Sequence, residues 1–298
     1  MNTQHLEYMI EIERTRSISQ AADNLYISQP NLSRILHEVE AGLGFRIFER
    51  TSRGVRPTTR GAAFLQHAKS ILRELDSIEA LGPRHAAANR LRLCIPRAAS
   101  ILEMTAEYLN SLPAEQNLDV NIRESHARQA LERLGNGDAS LGIIRFRTEY
   151  LDYFAEQTAL YGLDMEVLDR CRYFLILPKN HPLAKQETVT RAELTPFPEI
   201  SHNDNLNMQN KADDSVHRRI YTVDRLAQFA LLEKIPGAYM WSSALPERYL
   251  ERWGLVQMKC IDNQAVYHDA LVCHSQFALN EIESGYISYM RENYSRKP

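Results

Sequence analysis

The spacing of apolar residues changes repeatedly along the chain, and each change marks a different kind of structure. Leu6, Met9, Ile10 and Ile12 recur at helical spacing and predict a first helix ending near Arg14. Ser17 and Gln20 have the spacing of a capping box and open a short helix through Leu25, where Ala21 and Ala22 allow a close crossing. A turn at Tyr26 and Ile27 leads into a third helix, capped by Ser28, with Pro30 in its first turn. Leu32, Ile35, Leu36 and Val39 form its apolar face, and Gly42 and Gly44 end it. Two short extended pieces follow, at 45–50 and 55–58, joined by a turn. From 61 to 88, Phe64, Ala68, Ile71, Leu75 and Ile78 step by four and three, widened by Leu65 and Leu72, as in a coiled coil. Gly82-Pro83 and residues 86–89 mark a hinge.

Beyond 89, apolar runs at 91–95, 118–122 and 141–144 alternate with helical patterns at 101–111 and 128–134. That order predicts βαβαβ, hence a parallel sheet with helices on both faces. More strands are predicted at 164–168, 173–177, 199–200, 220–222, 237–241 and 266–274, with a capping box at Thr190 and Glu193 and helices at 225–232, 246–253 and 277–294. The fold class is therefore α/β with an N-terminal all-α winged helix-turn-helix. The expected domains are 1–60, 61–88 and 89–298, the last built as two α/β lobes joined by crossing strands.

Composition changes this picture little. Hydrophobic content of 44% and charged content of 24% are those of a soluble globular chain. Neither a membrane-spanning run nor a secretory signal is visible, so a cytoplasmic protein is expected. A net charge of -3 does not exclude nucleic acid, because a local basic stripe is enough to bind it. Cys94, Cys171, Cys260 and Cys273 are scattered, without a CxxC pair, and read as core residues, with a redox sensor among them as the alternative.

The polar positions carry the candidate chemistry. Gln29, Asn31, Ser33, Arg34 and His37 lie opposite the apolar face of the third helix, and such side chains read base edges and hold phosphates. Alone, this is also the pattern of an ordinary surface helix. Its neighbours decide, because short helix, turn and helix make a helix-turn-helix. The strand pair after it forms a wing with Arg50, Arg53 and Arg56 around its tip, able to lie along a phosphate backbone. Candidate DNA-binding residues are thus Ser28, Gln29, Pro30, Asn31, Ser33, Arg34, Arg50 and Arg53. A palindromic site needs a two-fold protein, which makes Phe64, Ala68, Ile71, Leu72, Leu75 and Ile78 the candidate subunit seam.

Ala21-Ala22, Leu25, Ser28-Gln29-Pro30, Leu32-Ser33, Ile35, Glu40, Leu43-Gly44, Phe48, Arg50, Thr58 and Gly61 together resemble the N-terminal domain of LysR-type transcriptional regulators. The chain departs at Asn31, where the family often has alanine, and at Pro57, where it often has leucine. Beyond the first 60 residues the likeness is one of layout. The two lobes resemble the family's effector domain, itself similar to periplasmic solute-binding proteins. The resemblance implies a homodimer or homotetramer paired through 61–88, double-stranded DNA with a promoter palindrome, and a small-molecule effector. RNA polymerase is a further candidate partner, and no membrane is implied.

Ligands of open α/β sheets lie outside the carboxyl ends of the strands, here between the lobes. Residues at predicted strand ends are Arg97, Ser100, Ser125, Arg145, His202 and Trp241, the candidate effector site. Ser100 and Glu103 have capping-box spacing, and a helix start there offers N–H groups to an anion. Arg97 and Arg145 suit a carboxylate or phosphate, though either alone reads more readily as a surface salt bridge. Tyr239 and Trp241 fit a core better than a ligand platform. No nucleophile elbow, zincin motif, P-loop, dinucleotide fingerprint or Cys/His ligand spacing occurs, so no enzyme, metal or cofactor is read from the chain. Two rivals stay open: an enzyme with a DNA-binding appendage, and a regulator whose C-terminal domain only assembles subunits.

Overall fold

A computed structural model describes residues 2–51, 54–80, 89–202, 218–275 and 279–294. The chain divides into two compact units, one of residues 1–88 with 135–138 and one of 89–134 with 139–298. The first unit contains α1 (Thr3–Thr15), α2 (Ile18–Asn24), α3 (Gln29–Leu43), β1 (Phe48–Thr51), β2 (Gly54–Pro57) and α4 (Thr59–Ala80). Met9, Ile12, Ala21, Leu32 and Ile47 are wholly buried in its core. Each large apolar side chain removed from water there contributes about 1.5–3 kcal/mol.

Local hydrogen bonds explain where the helices start and stop. Ser17 Oγ accepts the Gln20 N–H at 3.3 Å, which starts α2. The return bond of the expected capping box is not made. Asn24, one turn later, captures the Gln20 amide, and Thr15 Oγ1 accepts the Ser17 N–H instead. A Schellman turn ends α2: the Ile27 N–H reaches the Ala22 carbonyl at 3.0 Å, and the Tyr26 N–H that of Asp23 at 3.2 Å. Tyr26 is thereby held at φ 54, a conformation costing a side-chain-bearing residue roughly 1–2 kcal/mol. Glu40 of α3 accepts the N–H groups of Ile47 and Phe48 at 2.7 and 3.1 Å, which fastens the wing to that helix. At Gly61 an added Cβ would sit 1.8 Å from the Ile47 carbonyl oxygen, so only glycine lets α4 start this close.

The two halves of α4 differ. Leu65 and Ala68 are each 1% exposed and Phe64 packs on the domain core, while Ile71 is 45% and Ile78 60% exposed. The first turns lie along α1, where Lys69 pairs with Glu13 at 2.8 Å. Ala68 is thus buried within its own chain, which corrects its assignment to a subunit seam, and Phe64 is largely used there too. Ile71, Leu72, Leu75 and Ile78 keep surface to offer. The predicted hinge at 82–89 lies, up to residue 88, outside the described residues.

In the second unit, the first lobe begins with β3 (Arg90–Ile95), α5 (Ala99–Ser111), β4 (Asp119–Glu124), α6 (Ala127–Asn136), β5 (Leu141–Arg147), α7 (Leu151–Leu160) and β6 (Leu163–Arg172). The second lobe comprises β7 (Phe174–Pro178), α8 (Arg191–Leu194), β8 (Glu199–His202), β9 (Arg219–Thr222), α9 (Arg225–Lys234), β10 (Met240–Ser242), α10 (Glu247–Arg252) and β11 (Leu255–Met258). The chain then returns through β12 (Val266–His274) and α11 (Glu281–Asn293). The first sheet has the order β4-β3-β5-β12-β6. Strands β3, β4 and β5 are parallel as expected, but β12 is antiparallel to both β5 and β6, so the sheet is mixed. The reason is the crossing, since β12 re-enters from the other lobe in the opposite sense. The second lobe has an antiparallel sheet β10-β7-β11, to which β8 and β9 are added where the Ile200 N–H donates to the Tyr239 carbonyl at 2.8 Å. Among the described residues no helix is long and apolar enough to cross a membrane.

Candidate functional sites

The N-terminal end of α3 presents an open polar face. Ser28 is the N-cap by backbone position, yet its hydroxyl makes no capping bond and is left exposed. Gln29 and Pro30, in the first turn, are also exposed; Asn31 and Ser33 are half-buried. Arg34 is exposed and already has partners on its own helix, with Nη2 donating to Asn31 Oδ1 at 3.0 Å and Nη1 paired with Glu38. On the wing Arg50 is exposed, and Arg56 pairs with Glu49 at 2.8 Å. Arg53 lies outside the described residues. This end of α3 therefore combines free hydroxyl and amide groups with a cation whose local partners can be exchanged.

In the second unit the polar groups converge on one face of the second lobe. Glu199 bridges Tyr239 in parallel, so His202 and Ser242, each three residues further on, reach the same end. They lie on the face of Ile200 and Met240, whose apolar cluster also packs against Ala99 at the start of α5. From α9, Arg225 donates to the Arg97 carbonyl at 2.6 Å, to Gln228 Oε1 at 3.0 Å and to Met240 Sδ at 3.8 Å. Every one of these acceptors is neutral. Burial, with Arg145 and Arg97 nearby, lowers the Arg225 guanidinium to about 10 against the opposing pull of Tyr173 and Glu124. Burial also lowers Arg97, opposed by Glu124 and Asp224. His202 is pushed down to about 3, first by burial and then by Arg225 and Arg97, so its ring is neutral. The hydroxyls of Ser125 and Ser242 are buried without a hydrogen-bond partner among the described residues, and the buried His202 ring lies against the Thr222 backbone. Ser125 follows β4, its N–H bonded to the Ile95 carbonyl at the end of β3, beside the Arg97 segment.

Two of the residues expected at an effector site, Arg145 and Trp241, are used differently, and a third, Ser100, does not make the expected cap. Arg145 gives Nε and Nη2 to the two oxygens of Asp269 at 2.6 and 2.7 Å, and the two side chains are 5% and 0% exposed. Burial alone would lower this guanidinium, but the Asp269 charge outweighs it and holds it well above its ordinary value. Its bidentate fork is occupied by a partner on the neighbouring strand, which corrects its assignment as an anion ligand. Trp241 points to the opposite face of β10 from Ser242, packing with Leu175 and Tyr239 under the Arg191 guanidinium, 5.7 Å from the ring. Ser100 is not a cap: α5 begins one residue earlier, with Ala98 as N-cap and no side-chain capping bond. Ser100 is buried in the first turn of a helix whose leading N–H groups lack a side-chain acceptor. Sequence reasoning did not single out Arg225. A cation in the first turn of a helix runs against the helix dipole, and that was the available signal for Arg225.

The description "Bacterial regulatory helix-turn-helix protein, lysR family" matches residues 3–62, and "LysR substrate binding domain" matches residues 84–292. The chain is 30% identical over 199 residues to the HTH-type transcriptional regulator YnfL of Escherichia coli (strain K12), covering 65% of this chain and 63% of the relative. It is 24% identical over 276 residues to the DNA-binding transcriptional dual regulator OxyR of the same organism, covering 88% of this chain and 85% of OxyR. The chain thus spans less than two thirds of YnfL and more of OxyR. Its fold is shared with ArgP from Mycobacterium tuberculosis, at a TM-score of 0.67 and 15% identity over 98% of this chain and 96% of that one. It is shared also with full-length CbnR complexed with its target DNA, at a TM-score of 0.57 and 19% identity over 98% and 99%. Two matched domains that together take in nearly all the described chain settle its membership: it belongs to the lysR family of bacterial regulatory helix-turn-helix proteins.

Proposed function

We propose that this chain is a sequence-specific transcriptional regulator whose action on DNA is tuned by a small anionic effector, a carboxylate, held between the lobes of its C-terminal domain. It works as a homodimer or homotetramer, paired through the exposed half of α4 at Ile71, Leu72, Leu75 and Ile78. Ser28, Gln29 and Asn31 meet base edges, and Ser33, Arg34 and the wing arginines hold phosphates. The observation that carries the effector class is Arg225, a buried guanidinium whose acceptors among the described residues are all neutral, beside Arg97 and the neutral ring of His202. A buried cation of this kind favours an incoming anion strongly. The open first turn of α5 at Ser100 and the hydroxyls of Ser125 and Ser242 add donors around it.

Calorimetry of the full chain against carboxylates, amines and neutral metabolites tests this reading. A carboxylate is expected to bind, and Arg97→Ala to weaken it roughly tenfold to a hundredfold, the worth of a charge-assisted bond. DNA binding by the ligand-free protein should be unchanged in that variant. A cationic or wholly apolar ligand as the sole binder would contradict the anion, and no binder would favour a C-terminal domain that only assembles subunits.

A further inference from the structure

The turn before α3 holds a residue that its backbone does not favour. Tyr26 occupies the left-handed position of the Schellman turn closing α2, at φ 54. Glycine and asparagine take that conformation with little strain, and a ring-bearing side chain does not. Packing gives nothing back, because Tyr26 is 97% exposed and makes no side-chain hydrogen bond or ring contact among the described residues. The other non-glycine residue with positive φ among those described is Arg16, also in this domain. Its conformation is tied to the wing, since its carbonyl accepts the Val55 N–H at 3.0 Å. The backbone of Tyr26 is held by the Schellman bonds, which a glycine or asparagine there would make as well.

Strain retained without a packing return points to a function for the side chain. Tyr26 stands two residues before the Ser28 N-cap, at the end of α3 where Ser28, Gln29 and Pro30 are exposed. A phenol there is a neutral donor of the kind that positions a protein on DNA by bonding a phosphate oxygen. We infer that Tyr26 is a DNA-contacting residue whose hydroxyl donates to a backbone phosphate beside the bases met by α3. This rests on the reading of α3 as the helix that enters the DNA groove. Being uncharged, the contact adds affinity and register without releasing a counterion.

The test uses the full chain and two duplexes, one recovered by binding-site selection with the wild-type protein and one of random sequence. Tyr26→Phe keeps the ring and removes the donor. It is expected to bind both duplexes about tenfold more weakly, with the dependence on salt and the melting temperature unchanged. Tyr26→Gly relieves the backbone strain and should melt a few degrees higher while binding no better than the Phe variant. Equal binding by wild type and Tyr26→Phe overturns the tyrosine contact alone. A loss confined to the selected duplex overturns the phosphate as its target. Failure of the wild-type chain to retain any duplex overturns the reading of α3, and the tyrosine contact with it.

Discussion

On α3, Arg34 is exposed and shared between Asn31 and Glu38, both within one turn of its own helix. In the C-terminal sheet Arg145 is almost fully buried and gives its fork to Asp269, 124 residues away in sequence. Exposed pairs one turn apart contribute about 0.3–0.5 kcal/mol, so a phosphate can replace such a partner at little cost. A buried pair cannot be given up, because the charge left behind has no water to turn to. Arg225 is a third case, buried like Arg145 but with no carboxylate among its hydrogen-bond acceptors in the described residues. Exchangeable partners suit a surface that must meet DNA, permanent ones suit a core, and a missing one suits a pocket that is filled only when a ligand arrives.

The sharpest break in this comparison is Asp269→Ala. It should destabilise the C-terminal domain by about 3–5 kcal/mol, by leaving the Arg145 guanidinium buried and unpaired. Urea unfolding followed by tryptophan fluorescence measures this, as both Trp241 and Trp253 lie in that domain. A loss below about 1 kcal/mol, the worth of an exposed pair, would mean that Arg145 is not held as described.

Next in size is a pH effect from His202. Its folded pKa of about 3 lies below its ordinary value of 6.5, so the unfolded chain takes up the proton first as pH falls. Stability is therefore fully present above about 6.5 and declines as pH drops toward 3. His202→Gln should flatten the stability profile in that window. An unchanged slope would show that the ring is not buried among positive charges.

The smallest expected effect concerns Glu38. Glu38→Ala removes the competitor for Arg34 and should alter stability by no more than about 0.5 kcal/mol. DNA affinity should rise a few-fold, since a carboxylate no longer faces the phosphates. A drop in affinity would mean that Glu38 orients Arg34 rather than competing for it.

The same contrast explains what could be read from the sequence. The start and stop of α2 and α3, the Gly44 cap and the polar face of α3 depend on residues within a few turns of one another, and caps and spacing reveal such features. The partner of Arg145 depends on β12 returning from the other lobe, which no local pattern contains. Trp241 and Ser242 are adjacent on β10 and so point to opposite faces, and their place at a strand end does not show which face each takes. Ser100 had capping-box spacing, but Ala98 already takes the N-cap position and draws the helix start forward. Helix α7, absent from the sequence reading, buries few residues deeply, chiefly Phe154, and so shows little periodicity. Ala68 fitted the seam pattern of α4 because one apolar stripe there serves two purposes, the first half packing inward and the second left exposed.

The reading of α3 as the helix that recognises DNA is tested most directly by binding-site selection from a random duplex library, comparing the wild-type chain with Gln29→Ala. The wild type should recover a two-fold symmetric consensus. The variant should lose preference at one base pair in each half-site, worth roughly 1–3 kcal/mol, while the rest of the consensus and the salt dependence stay as they were. Recovery of the same consensus by both proteins, with equal preference at every position, would contradict it.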